Sequence, residues 1–200
     1  CFYGTAYTQC LIGSNGMVSF NITTPLGYCQ WPIGAAVPSA SDPMNTIMGP
    51  WQDLNPGSGG QIRYATYGTA PCRRFVVSWY QVPMYSCGTP CTQQIVLYEK
   101  TNVIDNFIQT KATCSWNGGY AIQAIHRAAA AGAVVQAGRN FPVVWTANND
   151  GRRWTPNGPS TVTVGWYIGA ALVGAGATYN ACPPTTTTYT FQASYTNCDA

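Results

Sequence analysis

The sequence predicts an all-β protein, a β-sandwich followed by a small β-unit, and three observations carry that prediction. Apolar residues recur with a period of two, which puts alternate side chains on opposite faces of a strand. Gly, Pro or Asn bounds each such segment. Only 8% of the 200 residues are charged, about a third of the usual share of roughly 25%. Thr, Ser, Asn, Gln, Tyr and Gly must therefore cover the surface, a profile of extracellular or self-assembling β-proteins.

The strands follow in order. In MVSFNI (17–22), Val18, Phe20 and Ile22 share a face, and Ser14-Asn15-Gly16 ahead of them is a turn signal. IMGPWQDLNPGSGG (47–60) is read as a rigid corner between strands, with Trp51 in the core and Asp53 and Asn55 satisfying backbone donors. QIRYATY (61–67) alternates Ile62, Tyr64 and Thr66. RFVVSWYQV (74–82) offers Phe75, Val77 and Trp79 on one side and Val76, Ser78 and Tyr80 on the other. QQIVLYEK (93–100) and NVIDNFIQT (102–110) form a pair that reverses near Thr101-Asn102.

AIQAIHRAAAAGAVV (121–135) carries four consecutive alanines, which favour helix by propensity. Gly118-Gly119 before it and Gly132 within it favour a strand over 121–126 and then a loop or short helical turn. Asn148, Asn149 and Asp150 ahead of Gly151 read as a turn. Trp31, Trp51, Trp79, Trp116 and Trp145 read as core anchors.

Beyond GRRWTPNGPS (151–160) the composition shifts. TVTVGW (161–166) and PPTTTTYTFQASYTNC (183–198) suggest further strands, the last with Tyr189, Phe191, Ala193 and Tyr195 on one face. The expected division is 1–157 for the sandwich and 158–200 for the β-unit. That unit falls well short of an immunoglobulin sandwich of roughly 100 residues, so it leaves strand edges open.

Several function classes lose support. Arg73-Arg74 and Arg152-Arg153 make no basic stripe for nucleic acid. GWYIGAALVGAGA (165–177) is too short and too Gly-rich to span a membrane as a helix. Nine cysteines with only Cys87 and Cys91 close together, and His126 as the single histidine, argue for disulfides and an oxidising compartment rather than zinc. Four bridges would leave one thiol over, and the pairings expected among them are Cys87 with Cys114, Cys182 with Cys198, and Cys29 with Cys72. Cys1 reads as an intermolecular bridge or the start of a fragment.

The six carboxylates are Asp42, Asp53, Glu99, Asp105, Asp150 and Asp199. Glu99 and Asp105 flank a hairpin and could face one another as an acid-base pair, with Asp53 as a substitute partner. The plainer reading leaves both on a solvated face. His126 reads as a surface or satisfied polar residue, and no nucleophile elbow or phosphate loop is present. Asp42, Asp53 and Asn55 are chemically suitable calcium ligands, although Asn and Asp beside Pro and Gly form turns first. No other cofactor is expected. Seven Trp and thirteen Tyr could line a sugar-binding face.

IGSNGMVSF, NTIMGPWQDLNPGSGGQIRY, GTAPCRRFVVSWYQVPMYSC, QQIVLYEKTNVIDNFI, SWNGGYAIQAIH and GRNFPVVWTANNDGRRWTPNG resemble, in this order, the nidogen-like module of large surface proteins from gliding, type IX-secreting bacteria. CPPTTTTYTFQASYTNC resembles the immunoglobulin- or PKD-like segment that follows it there. The resemblance implies an adhesive or scaffolding ectodomain and supplies no catalytic residues. Those proteins are commonly very long and end in a sorting domain, whereas this sequence stops at Ala200. The expectation is a non-catalytic, exported building block of a cell surface or filament, partnered by identical subunits or by further domains of its own chain. In the filament version, strand 185–197 pairs with the next subunit's edge. A glycan- or surface-binding adhesin is the alternative, and a secreted hydrolase ranks third.

Overall fold

Alternation in the sequence becomes thirteen strands in three antiparallel sheets in the computed structural model, which describes residues 1–23, 27–157 and 162–195. The chain divides into two compact units, Tyr7–Pro156 and a second made of Cys1–Ala6 with Asn157–Ala200. The first six residues, read from sequence as part of the sandwich, thus group with the C-terminal unit.

Tyr7–Pro156 holds two five-stranded sheets. One runs in the order β1-β2-β3-β8-β9, from β1 (Leu11–Gly13), β2 (Met17–Ser19), β3 (Thr46–Trp51), β8 (Ile122–His126) and β9 (Ala133–Val135). The other runs β10-β7-β6-β5-β4, from β4 (Gln61–Tyr67), β5 (Arg74–Pro83), β6 (Pro90–Tyr98), β7 (Ile104–Lys111) and β10 (Ala147–Trp154).

Four polar contacts fix how the sheets face one another. Trp79 Nε1 on β5 donates to Gly13 O on β1 at 3.0 Å, and Gln93 Nε2 on β6 donates to Pro50 O on β3 at 3.1 Å. Gln123 Nε2 on β8 donates to Asn106 Oδ1 on β7, and Arg139, just beyond β9, pairs with Asp150 on β10. So β1 lies over β5, β3 over β6, β8 over β7 and the segment after β9 over β10. No strand among the described residues lies opposite β4.

That overhang shows in β4's own side chains. Ile62, Tyr64 and Thr66 stand opposite Trp79, Val77 and Phe75 on β5, and directly opposed residues share a face. Trp79 and Val77 are fully buried, yet Tyr64 on the same face is 69% exposed.

β3 is buried along its whole length because both faces are covered. Met17, Met48, Trp51, Ile122 and Ala124 form one face, closed by Ile33 and Val37 from the β2–β3 connection. Val18 and Ile47 lie on the other, toward the second sheet. Pro50 is tolerated in this central strand at a bulge, where the pairing passes from Met48↔Ala124 to Trp51↔Ile122.

The structure corrects several expectations, the first being the corner at 47–60, whose residues Ile47–Trp51 belong to strand β3. The 17–22 strand stops at Ser19, and Ile22 is exposed. The Asn148–Asp150 turn is instead part of β10, paired with β7 from Lys111 to Ile104. Ion pairs of Asp150 with Arg139 and Arg152, and of Arg153 with Asp105, line this strand, while Asn149 keeps a left-handed φ of +48° within it. Trp51, Trp79 and Trp145 are core anchors, but Trp31 and Trp116 are 40% and 39% exposed. The Ala-rich stretch follows its sequence reading, with β8 leading into a 3-10 turn at Ala128–Ala130.

In the C-terminal unit, β11 (Val162–Ile168), β12 (Ala171–Ala175) and β13 (Thr190–Tyr195) form a sheet in the order β12-β11-β13. β13 is shorter than the 185–197 strand expected, and Asn197 lies outside the described residues. Tyr189 precedes β13, while Phe191, Ala193 and Tyr195 pair with Trp166, Val164 and Val162 of β11.

Candidate functional site

The charged residues that suggested catalysis are committed elsewhere. Glu99 takes a bidentate contact from Arg73, with Nε–Oε2 at 2.9 Å and Nη2–Oε1 at 2.7 Å, which holds its carboxyl down to about 2. Asp105 is buried rather than solvated, and Arg153 grips both its oxygens at 2.7 Å, keeping its carboxyl below the usual range. Glu99 and Asp105 therefore do not form the facing pair that glycoside hydrolysis needs: each has its own guanidinium.

His126 is fully buried and satisfied. Its Nε2 accepts from Ser39 N–H at 3.3 Å, so the 2.9 Å contact to Pro43 O is a donation from Nδ1. The ring pins the β2–β3 connection onto the sheet.

The three suggested calcium ligands serve separate ends. Asn55 Oδ1 accepts from Gly57 N–H at 3.1 Å and its Nδ2 donates to Ser58 Oγ at 2.7 Å, capping the 3-10 turn Pro56–Ser58. Burial raises the Asp42 carboxyl, against the lowering influence of a Ser39 hydrogen bond. Asp53 was expected to satisfy backbone donors. Its Oδ2 instead accepts the Trp116 indole N–H at 2.8 Å. No cluster of three metal-binding His, Cys, Asp or Glu exists among the described residues.

Among the cysteines, Cys87–Cys114 is a disulfide, as the sequence reading had it, and Cys1 is disulfide-bonded too. Cys29 and Cys72 are both free thiols, which corrects their expected pairing. Cys29 sits in the sandwich, accepting from Asn15 N–H at 3.3 Å, whereas Cys72 is exposed between β4 and β5. Cys10, Cys91 and Cys182 are free as well, so the chain carries more than the one spare thiol expected. The free Cys182 thiol also corrects its expected pairing with Cys198, which itself lies outside the described residues.

One surface cluster brings together residues from four separate loops. Trp31 comes from the β2–β3 connection, Asp53 from the turn after β3, Tyr85 from the β5–β6 connection and Trp116 from the 3-10 turn Trp116–Gly119. The ring centroids of Trp116 lie 6.3 Å from Trp31 and 5.1 Å from Tyr85. Tyr85 N–H donates to Asp53 O at 3.0 Å, and Asn117 Nδ2 donates to Trp31 O at 3.4 Å. Cys87–Cys114 ties the Tyr85 loop to the Trp116 loop.

A shallow cleft runs beside the rings, lined by Gln52, Asp53, Met84, Trp116, Asn117 and Tyr120 among others. Burial pushes the Asp53 carboxyl up, and the Trp116 indole holds it partly back. Gln52 is 5% exposed, and its Nε2 has no hydrogen-bond partner among the described residues. Sequence reasoning missed this cluster because it placed both tryptophans in the core. The signal was present: WNGG (116–119) is turn composition, and the Cys87–Cys114 pairing already brings Tyr85 toward Trp116.

A family model described as NIDO related, that is nidogen-related, matches residues 1–164. No curated protein and no solved structure matches the chain.

Proposed function

Because this chain belongs to the nidogen-related family, we propose that it is a non-catalytic extracellular building block that self-associates through its strand edges. The observation that carries this reading is the C-terminal sheet. Among its strand residues whose burial is described, only Gly165 is buried. Leu172, Ile168 and Phe191 are 58%, 42% and 47% exposed. A three-stranded sheet needs an apolar face packed against something to be stable, and an unpaired edge is a template for another chain.

β13 already pairs with β11, so it is not a free strand to donate. What it offers is its second edge, which no described strand occupies. β4 offers the matching partner, a seven-residue edge strand with an uncovered inner face. Joining β13 of one copy to β4 of the next adds main-chain hydrogen bonds across a continued sheet. Two different surfaces meet in that contact, so it propagates as a filament unless the rotation closes a ring.

The nidogen-related family and the Cys87–Cys114 bridge support an exported, oxidising setting. The separate ion pairing of Glu99 and Asp105 removes the specific support for a hydrolase.

Sedimentation velocity and negative-stain microscopy across a concentration series test the proposal. Concentration-dependent oligomers are expected, with Tyr64→Lys on β4 reducing them to monomers without lowering the melting temperature, since Tyr64 is largely exposed. Monodisperse monomers at every concentration would sink the reading.

A further inference from the structure

The rings of Trp31, Tyr85 and Trp116 gather around Asp53 at the surface, outside the sandwich's buried core. The three rings are 40%, 43% and 39% exposed, while Trp51 and Trp79 are completely buried. A contiguous exposed aromatic patch is expensive to leave in water and marks a recognition surface. It is also stiff. The indole N–H to carboxylate bond, the Tyr85 N–H to Asp53 O bond, the Asn117 to Trp31 bond and the disulfide cross-tie all four loops. Beneath Trp31, the carbonyl of Gln30 accepts from the buried Trp51 indole at 2.9 Å and from Asn15 Nδ2 at 3.1 Å. A site held this way loses little conformational freedom when it binds.

We propose that this cluster is a saccharide-binding site that takes a neutral pyranose, stacked on the exposed rings and hydrogen-bonded at its hydroxyls by Asp53 and Asn117. Three features select that class. Aromatic ring faces match the apolar C–H face of a pyranose, and their area is apolar without being flexible. The Trp116 indole takes Oδ2 of Asp53, and the carboxylate's remaining acceptor capacity stands at the edge of the platform for sugar hydroxyls. The adjacent carboxylate disfavours anionic sugars by like-charge repulsion.

The site belongs wholly to Tyr7–Pro156 and uses neither β4 nor β13, so it can hold or fail independently of self-association.

The test is a titration of the whole chain with neutral cello-, manno- and chito-oligosaccharides. Tryptophan fluorescence and saturation-transfer NMR are the readouts. Heparin serves as an anionic comparison and tetramethylammonium as a cationic probe. Saturable quenching is expected with at least one neutral oligosaccharide, together with NMR contacts from the sugar's ring protons. Trp31→Ala and Tyr85→Ala, both at exposed positions, should each weaken binding about tenfold with an unchanged melting temperature. Asp53→Asn, which keeps the shape and removes the charge, should weaken it while leaving the fold intact. Absence of saturable binding to every neutral sugar overturns the inference. So does binding that survives both aromatic substitutions, or quenching by tetramethylammonium or heparin alone.

Discussion

Buried Lys111 shows how a single residue can couple folding to pH. The residue is 1% exposed, and its ammonium donates to Trp145 O at 2.7 Å and Ala112 O at 3.1 Å and lies 4.5 Å from the centre of the Trp145 ring. Burial lowers its pKa to about 8, partly offset by Cys91 and reinforced by Arg139. Burial likewise pushes the Cys91 thiol up to about 12. Between about pH 8 and the unfolded value of 10.5, the unfolded chain holds a proton at Lys111 that the folded chain has released, so stability rises with pH. Above the unfolded cysteine value of 9.0, the unfolded chain loses a proton at Cys91 that the folded chain keeps, which lowers stability as pH rises toward 12. The two contributions oppose one another where they overlap. Urea midpoints should therefore rise from pH 8 to 9, level off and then fall. Lys111→Met should remove the initial rise, and a rise of equal size in that variant would show that another group titrates there.

At the scale of the element, the spacing between the two sheets depends on glycine. Gln93 crosses from β6 to reach Pro50 O, and its side chain lies against the α-carbons of Gly16 and Gly49. A methyl group at Gly49 would overlap Gln93 Oε1, and one at Gly16 would meet Gln93 Nε2 and Pro50 O at a backbone φ of +79°. Gly49→Ala should cost about 2–3 kcal/mol through overpacking, read as a lower denaturation midpoint with an unchanged slope. A shift too small to measure would show that Gln93 swings aside. Such close approaches explain which parts of the fold were legible in the sequence. The alternation of β5, β6 and β7 carried their positions, because each strand has one apolar face. β3 was read as a corner because Gly49-Pro50 is turn punctuation, and only the bulge opposite Ala124 and Ile122 makes it a strand. β10 was hidden behind Asn148-Asn149-Asp150, where Asn149 keeps a turn-like φ of +48° while its neighbours pair with β7. Trp31 and Trp116 looked the same as Trp51 and Trp79, since composition does not reveal which tryptophan a loop carries outward. The Cys87–Cys114 bridge was legible, but not the aromatic cluster it assembles.

For the whole molecule, the low charge that first suggested assembly also dictates how assembly should respond to salt. Nine basic and six acidic residues give a net charge of +3, and Arg73–Glu99, Arg139–Asp150, Arg152–Asp150 and Arg153–Asp105 are already paired within the chain. β4 carries a single charge, Arg63, and the described part of β13 carries none. Contact between these edges would rest on main-chain hydrogen bonds and exposed rings such as Tyr64 and Phe191, neither of which salt screens. Raising sodium chloride from about 0.05 M to about 0.5 M shortens the Debye length severalfold. It should therefore leave the oligomer distribution unchanged or shift it slightly toward larger species as residual repulsion is screened. Sedimentation velocity at both salt concentrations decides the matter. Dissociation at the higher concentration would assign the contact to charge pairs between copies rather than to strand edges, because an added strand has no ion pair to lose.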